Sequence, residues 1–333
     1  MCLMKVLALE SSCDETAVAI IEDGLLLSSQ ISSQIDIHKR FGGVVPEIAA
    51  RKHLEIIDRM VSRSLEEADL DIKEIDVFAS TMGPGLVGSL LIGLSFAKGM
   101  AIAMNKPFVG VNHLFGHVYA NFLKYPLLKP PFMVLLVSGG HTEILVLKDL
   151  DRIELVGKTR DDAAGEAFDK IARLLGLGYP GGPAIQEAAE KGQAKYPFPR
   201  PLREKGNFDF SFSGLKTSVL YFMKKNPLAS VYDVAASAQE AIVDSLVTKV
   251  FEAAESLHLH EIAFAGGVAS NSLLRERARV QSEVSGIKAY FPPVDLCTDN
   301  AAMIALVAYE KAKRGLFSPL STNAVPYLTL DFF

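Results

Sequence analysis

Cysteine is scarce in this chain: Cys2, Cys13 and Cys297 are the only three in 333 residues. An odd, sparse set excludes a disulfide-stapled secreted fold and points to a reducing cytoplasm. No apolar run reads as reaching the ~18 residues of a membrane span, so no membrane partner is expected. The opening MCLMKVLALESSCDET lacks the long apolar stretch and small-residue cleavage site of a secretion signal and reads as a strand. Charge of one sign is in no large excess, with 34 basic against 39 acidic residues and a net charge of −5. That excludes a protein that coats nucleic acid generally, though not one with a local basic patch. What is present is apolar material for an ample core, 49% of the chain, enough for one large domain or two lobes of about 150 residues each.

The order of elements repeats. Residues 5–9, 17–21 and 25–32 read as three strands, the last two joined by the turn Asp23-Gly24. A helix starts at Pro46, a strand covers 76–81, a helix passes through Leu90, Leu94 and Met100, and a strand at 107–111 leads into a helix holding His113 and His117. The second half begins again with strands at 132–137, 143–147 and 152–156, then a helix at 163–175. A long helix near 234–257, a strand at 261–265, a helix after Asn271, a strand at 288–291 and a last helix with Asp299 as N-cap complete it. The pattern predicts an α/β fold of two lobes around a nucleotide cleft. Lobe I covers 1–131 with the metal-binding helix and is completed by the C-terminal helix 299–333; lobe II covers 132–298. This resembles the architecture shared by actin, sugar kinases and the Hsp70 ATPase domain, a likeness of fold and not of function.

The turns carry the chemistry. Ser138-Gly139-Gly140 joins two strands, which needs no ligand, but paired glycines also let backbone N–H groups converge on a phosphate. Gly266-Gly267 after a strand leaves bare backbone for a nucleobase or ribose, with Asn271 at the next helix start. His113 and His117, four apart on a helix, project from one face as a preorganised metal pair; Asp299 and Cys297 are candidates for a third ligand. Two histidines and one carboxylate make an open site suited to iron(II) or zinc. Leu114 stands where a zinc protease of the HExxH type needs glutamate, which argues against peptide hydrolysis. Asp14 and Glu15 form an acidic turn, and acids beside a phosphate site hold a cation, position water or accept a proton. Asp169 is a candidate ribose or substrate contact.

Together the segments ESSCDETAVAI (10–20), NHLFGH (112–117), LVSGGHTEI (136–144), AAGEAFDK (163–170), YPGGP (179–183), FSFSGLKT (210–217), AGGVASN (265–271) and CTDNAAMIA (297–305) are similar to one family across essentially the whole chain. It is the universal tRNA threonylcarbamoyltransferase family, formerly labelled O-sialoglycoprotein endopeptidase. The resemblance implies transfer of a threonylcarbamoyl group from threonylcarbamoyl-AMP to N6 of adenosine 37 in tRNAs reading codons that begin with A, forming t6A and releasing AMP. It implies metal ligands at His113, His117 and Asp299, with one divalent ion per subunit, Fe(2+) favoured over Zn(2+). Substrate contacts fall on Leu136, Val137, Ser138, Gly139 and Gly140, and on Asp169, Gly182 and Asn271. ATP or ADP can occupy the same cleft. Implied partners are tRNA, the TsaB paralogue and the TsaE ATPase. Ser11, Asn112 and Phe115 depart from the residues common in the family. Asp14 and Glu15 are the candidate proton acceptors. The competing reading is an ATPase or small-molecule phosphotransferase on the same scaffold.

An acidic chain acting on tRNA needs a concentrated basic surface. Between 191 and 216, Lys191, Lys195, Arg200, Arg203, Lys205 and Lys216 stand against only Glu204 and Asp209, in a proline-broken loop expected to reach a phosphate backbone.

Overall fold

The computed structural model describes residues 3–330 and Phe333; Cys2 lies outside them. The chain forms two compact units, one of residues 1–127 with 298–333 and one of residues 128–297.

In the first unit, β1 (Lys5–Glu10), β2 (Glu15–Glu22) and β3 (Leu25–Ser33) form an antiparallel meander. Asp23 and Gly24 both take positive φ, the backbone that a tight right-twisted hairpin turn demands. Then come α1 (Ile35–His38), a 3-10 turn at Lys39–Phe41 and α2 (Pro46–Ala68), whose proline sits in the first turn, where a missing N–H costs nothing. β4 (Val77–Gly83), α3 (Val87–Met104), β5 (Phe108–Asn112) and α4 (His113–Lys124) follow, giving the sheet order β3-β2-β1-β4-β5.

The second unit repeats the plan with β6 (Phe132–Val137), β7 (Thr142–Asp149) and β8 (Arg152–Lys158), then α5 (Ala164–Leu174), α6 (Gly181–Ala189), α7 (Ser213–Lys225) and α8 (Val231–Ser256). β9 (Glu261–Ala265), α9 (Ser272–Ser285) and β10 (Lys288–Tyr290) close it, in the order β10-β9-β6-β7-β8. Counted from the hairpin edge, the strands play the same roles in both sheets. The recurrence read from the sequence is thus a duplicated α/β fold. The last helix, α10 (Ala301–Lys313), returns to the first unit and packs on β1, β2 and α4. Alternating strand residues build each core: Leu7, Leu9, Val18 and Ile20 meet Ile57 and Leu94 in one unit, and Val137 and Ile144 meet Phe168 and Ile242 in the other. Each such side chain contributes about 1.5–3 kcal/mol by leaving water.

Three expectations need correction. The run Val87–Met104 is an 18-residue helix with mean hydropathy 1.7, long and apolar enough by composition to cross a membrane. In the fold α3 is a layer on β4: Leu90, Leu94 and Ala97 are buried, and Lys98 donates to the Thr322 carbonyl. The N-cap of α10 is Asn300, whose side chain accepts from the Met303 amide at 2.9 Å; Asp299 is left free of that role. The basic loop is also more committed than its own acids suggested. Lys191 pairs with Glu187, Lys195 with Asp233, and Arg200, largely buried, with Asp244 at 2.6 Å, all acids from α6 and α8. Arg203 and Lys205 stay exposed, and Lys216 lies in α7.

Candidate functional site

β5 ends at Asn112, whose side chain accepts from the Leu114 amide and starts α4 at once. Both histidines therefore lie in the first turns of a short, buried helix. Gly116 sits where α10 crosses: a Cβ there would lie 2.8 Å from Ile304 Cδ1 and 3.0 Å from Met303 Cγ, so a larger residue would have to displace those side chains. That crossing carries Asp299, just before α10, to the histidines. Its Oδ1 lies 3.5 Å from His113 Nε2 and 3.2 Å from His117 Nε2. All three donor atoms fall within 4.8 Å of one another. Donors about 2.1 Å from a tetrahedral ion stand about 3.4 Å apart, so the spacing fits a metal. Phe115 points elsewhere, packing on Phe333.

Two further observations show that this cluster suits a cation. Neither ring nitrogen of buried His117 has a properly directed hydrogen-bond partner, although Asp299 is near. Such an orphaned imidazole is costly unless something binds it. The acids are also crowded. Burial, then Asp299 and Asp14, push the Glu15 carboxyl up to about 9. At His113 burial opposes the charged ring, yet Asp299 and Glu10 outweigh it and push the value up to about 9. Asp299 is held at about 2 despite burial, through His113 and His117. The cluster calls for one positive charge, and His113, His117 and Asp299 are the residues that would hold a metal ion.

Sequence reasoning passed over Glu10. It ends an apolar strand, and a wholly buried acid in the run KVLALE was the available signal. Its carboxylate accepts from the Ser12 amide, the Thr81 hydroxyl and His113 Nδ1, at 2.6, 2.6 and 3.0 Å. Burial opposes its charge, but His113 holds it below the usual range. An acceptor-only partner holds a proton on His113 Nδ1, so Nε2, on the side of Asp299, is the nitrogen that would give up its proton to bind an ion. In Glu10→Gln an amide N–H can face Nδ1, favouring the tautomer whose Nε2 is protonated and cannot ligate. Metal affinity should fall roughly 10–100-fold with the fold retained, as read by competition with a chelating dye. An unchanged affinity would remove Glu10 from this role.

The acidic turn, Asp14 and Glu15, lies between β1 and β2. Ser33 Oγ donates to Glu15, and the Gln34 amide donates to the Asp14 carbonyl. The Cys13 thiol is pushed well up by burial and by Asp14, away from nucleophilic use. Cys297, the other candidate ligand, is buried in the second unit against Arg275 Nη2 at 3.1 Å.

In the second unit the predicted contacts gather around one end of the sheet. Leu136 and Val137 are buried at the end of β6 and offer only backbone. Ser138 Oγ accepts from the His141 amide, while Gly139 and Gly140 are exposed with open space around them. The Gly165 amide at the start of α5 donates to the Ser138 carbonyl, and Asp169 accepts from the Gly181 amide at the start of α6, beside Gly182. Gln186 accepts from the Ser272 amide at the start of α9. Asn271 caps α9 through Leu274 and donates to Gln239. Gly266, at φ +88°, lies against the Val137 carbonyl. The starts of α5, α6 and α9 are thus linked around the C-terminal ends of parallel β6 and β9, the place where open α/β sheets bind ligands and where helix N-termini favour anions.

Comparison with known proteins agrees. A family model described as TsaD, tRNA N6-adenosine threonylcarbamoyltransferase, matches residues 25–306. Proteins of that name are 67% identical in Kosmotoga olearia, over 98% of this chain and 99% of that one, and 54% identical in Thermosipho africanus, over 98% and 100%. Among solved structures, full-length HypF in its phosphate- and nucleotide-bound form superposes with a TM-score of 0.65 at 15% identity, over 95% of this chain but 56% of that one. The activator of the 2-hydroxyisocaproyl-CoA dehydratase from Clostridium difficile with bound ADPNP gives 0.54 at 14%, over 94% and 97%. These two likenesses concern the fold, which is of the actin-like ATPase type. With the family model spanning most of the sequence and relatives matched from end to end, this chain belongs to the tRNA N6-adenosine threonylcarbamoyltransferase family of transferases.

Proposed function

We propose that the chain transfers the threonylcarbamoyl group from threonylcarbamoyl-AMP to N6 of adenosine 37 in tRNAs reading codons that begin with A, releasing AMP. The observation that carries this is the triad His113, His117 and Asp299, with His113 oriented by Glu10 and an acidic turn on the neighbouring strands. The donor is a mixed carbamic–phosphoric anhydride, so AMP leaves readily and no covalent enzyme intermediate is needed. The acceptor amine is a weak nucleophile, so orientation is the main task. A divalent metal, Fe(2+) favoured over Zn(2+) by the family resemblance, would be held by His113, His117 and Asp299 and would supply Lewis-acid stabilisation of charge developing on oxygen.

Backbone N–H groups of Ser138 to Gly140 and the adjoining helix starts suit the adenylate phosphate, with Asp169, Gly182 and Asn271 around the nucleoside. Leu136 and Val137 set the position of that turn. Asp14 or Glu15 takes the proton that N6 loses, Glu15 only once a bound cation has drawn its carboxyl down into the ionised form. Arg200, largely buried and held by Asp244 and Glu240, is not available to RNA phosphates, whereas the exposed Arg203 and Lys205 are. TsaB and TsaE act with the chain, in the cytoplasm. The test is incubation with threonylcarbamoyl-AMP and unmodified tRNA, with and without these partners, followed by mass spectrometry of the nucleosides. Modified adenosine with stoichiometric AMP is the expected outcome; with ATP supplied and TsaE left out, turnover to ADP without modified nucleoside would favour the phosphotransferase reading.

A further inference from the structure

Between β3 and α2 the chain makes a short excursion that the metal and nucleotide sites do not use. Its tip reads Lys39-Arg40-Phe41-Gly42-Gly43. Phe41 is 58% exposed, with no ring partner among the described residues. Arg40 is exposed and has no acidic partner among them either. Lys39 meets only the exposed Asp36, a pair of little worth.

An exposed aromatic on a loose loop would carry no message, but this loop is pinned. Gly42, at φ +69°, turns the chain, and the Gly43 amide donates to the His38 carbonyl. The Val45 amide donates to Nδ1 of the fully buried His38. His38 Nε2 in turn donates to Gln34 Oε1 at 3.3 Å, and Gln34 is buried. The Gln34 amide bonds the Asp14 carbonyl. His53, buried on α2, donates from Nε2 to the Cys13 carbonyl and accepts the Thr16 hydroxyl at Nδ1, at 3.0 and 2.7 Å. A continuous hydrogen-bonded path therefore runs from the acidic turn to the tip. Gln34 is bonded to the Asp14 backbone, and Phe41 follows it by seven residues across α1 and the 3-10 turn, about 12 Å of helical rise. A base a short way along an extended strand from one at the acidic turn can therefore reach the tip.

We propose that Phe41 and Arg40 form a single-stranded RNA contact, with Phe41 as the stacking platform for a base neighbouring the acceptor adenosine and Arg40 on the adjoining phosphate. This rests on the reading that the acidic turn faces the acceptor base. Aromatic stacking with flanking cations is how proteins hold unpaired bases, and a tip held in place in advance limits the ordering cost of binding. The buried His38–Gln34–His53 path is what keeps that tip in register with the turn.

The experiment uses the chain with the partner proteins its activity requires and an unmodified tRNA transcript. Phe41→Ala should raise KM for tRNA about 5- to 100-fold with kcat little changed, and Arg40→Ala should lower the log–log salt slope of tRNA binding by about 0.7. Because the chain has no tryptophan, Phe41→Trp adds a single reporter. It should retain wild-type KM, and its emission, measured against the unsubstituted assembly, should be quenched by the transcript and not by duplex RNA. Wild-type KM and slope in both alanine variants would overturn the proposal. Loss of assembly on size exclusion in Phe41→Ala would overturn it in favour of a protein contact. If the unsubstituted enzyme modifies no tRNA, the reading beneath it falls first.

Discussion

Replacing Asp299 with alanine is expected to take bound metal from about one ion per chain to near none and to lower threonylcarbamoyl transfer on the order of a thousandfold. The residue supplies the only anionic donor of the triad, at 3.2 and 3.5 Å from two neutral-capable imidazoles. Two histidines alone leave the ion without charge compensation and with one anchor fewer. A Lewis acid contributes several kcal/mol to charge stabilisation, and each 1.4 kcal/mol is tenfold in rate. Folding should survive, because the side chain is partly exposed and the cap of α10 belongs to Asn300. Asp299→Asn is the sharper variant: it keeps shape and loses charge. Metal content by plasma emission, transfer rate and circular dichroism on the same samples decide the matter. Full metal occupancy with normal transfer in either variant would exclude Asp299 as a ligand.

Gly266→Ala should destabilise the second unit by about 3–5 kcal/mol, lowering its melting temperature by roughly 10–15 °C. Gly266 has φ +88° and ψ 165°, a region that is essentially glycine's alone. A Cβ would also stand 2.3 Å from the Val137 carbonyl oxygen and 2.8 Å from its carbon. Val137 cannot yield, since β6 is the central strand, bonded to β7 on one side and β9 on the other. Any relief must come from the loop that follows β9 or from the Ser138 turn, so adenylate affinity should fall with stability. Gly139→Ala separates the two effects. Nothing lies within 4 Å of its would-be Cβ, so stability should hold while a closely approaching phosphate would still be felt. Scanning calorimetry and nucleotide titration of both variants provide the measurement. A Gly266→Ala protein that melts like the parent would contradict the assignment.

Much of this was legible in the sequence, and the reasons differ by element. The two three-strand meanders announce themselves because short apolar runs such as VLAL, AVAII and FMVLLV, bounded by turn residues, are local signals. The spacing of His113 and His117 likewise needs nothing beyond one helix. Asp299 and Asn300 are both good caps, and only the folded chain shows Asn300 capping α10 while Asp299 faces the histidines. The starts of α6 and α7 were unreadable for a similar reason. Helix α7 has Phe212 at its N-cap position, and its first amides are met by Asp161, about fifty residues upstream, which also accepts from Ser211 and Ser213 hydroxyls. No window of sequence holds both partners. The short α1 carries too few turns for periodicity to show, so the pinned tip beyond it went unseen.

The first unit is interrupted: its last helix and Asp299, the third donor of the candidate metal site, come after the whole of the second unit. During synthesis, His113 and His117 therefore leave the ribosome with neither Asp299 nor α10, and the faces of β1 and β2 that α10 covers stay open meanwhile. At 5–20 residues per second that interval is on the order of ten seconds, long compared with the folding of a domain. The second unit can complete its sheet within that time, while the first waits as an unclosed intermediate with an apolar face exposed. Metal loading at the candidate site would then be a late event, possible only once Asp299 has emerged, and the nascent protein passes through a period in which chaperone binding competes with aggregation.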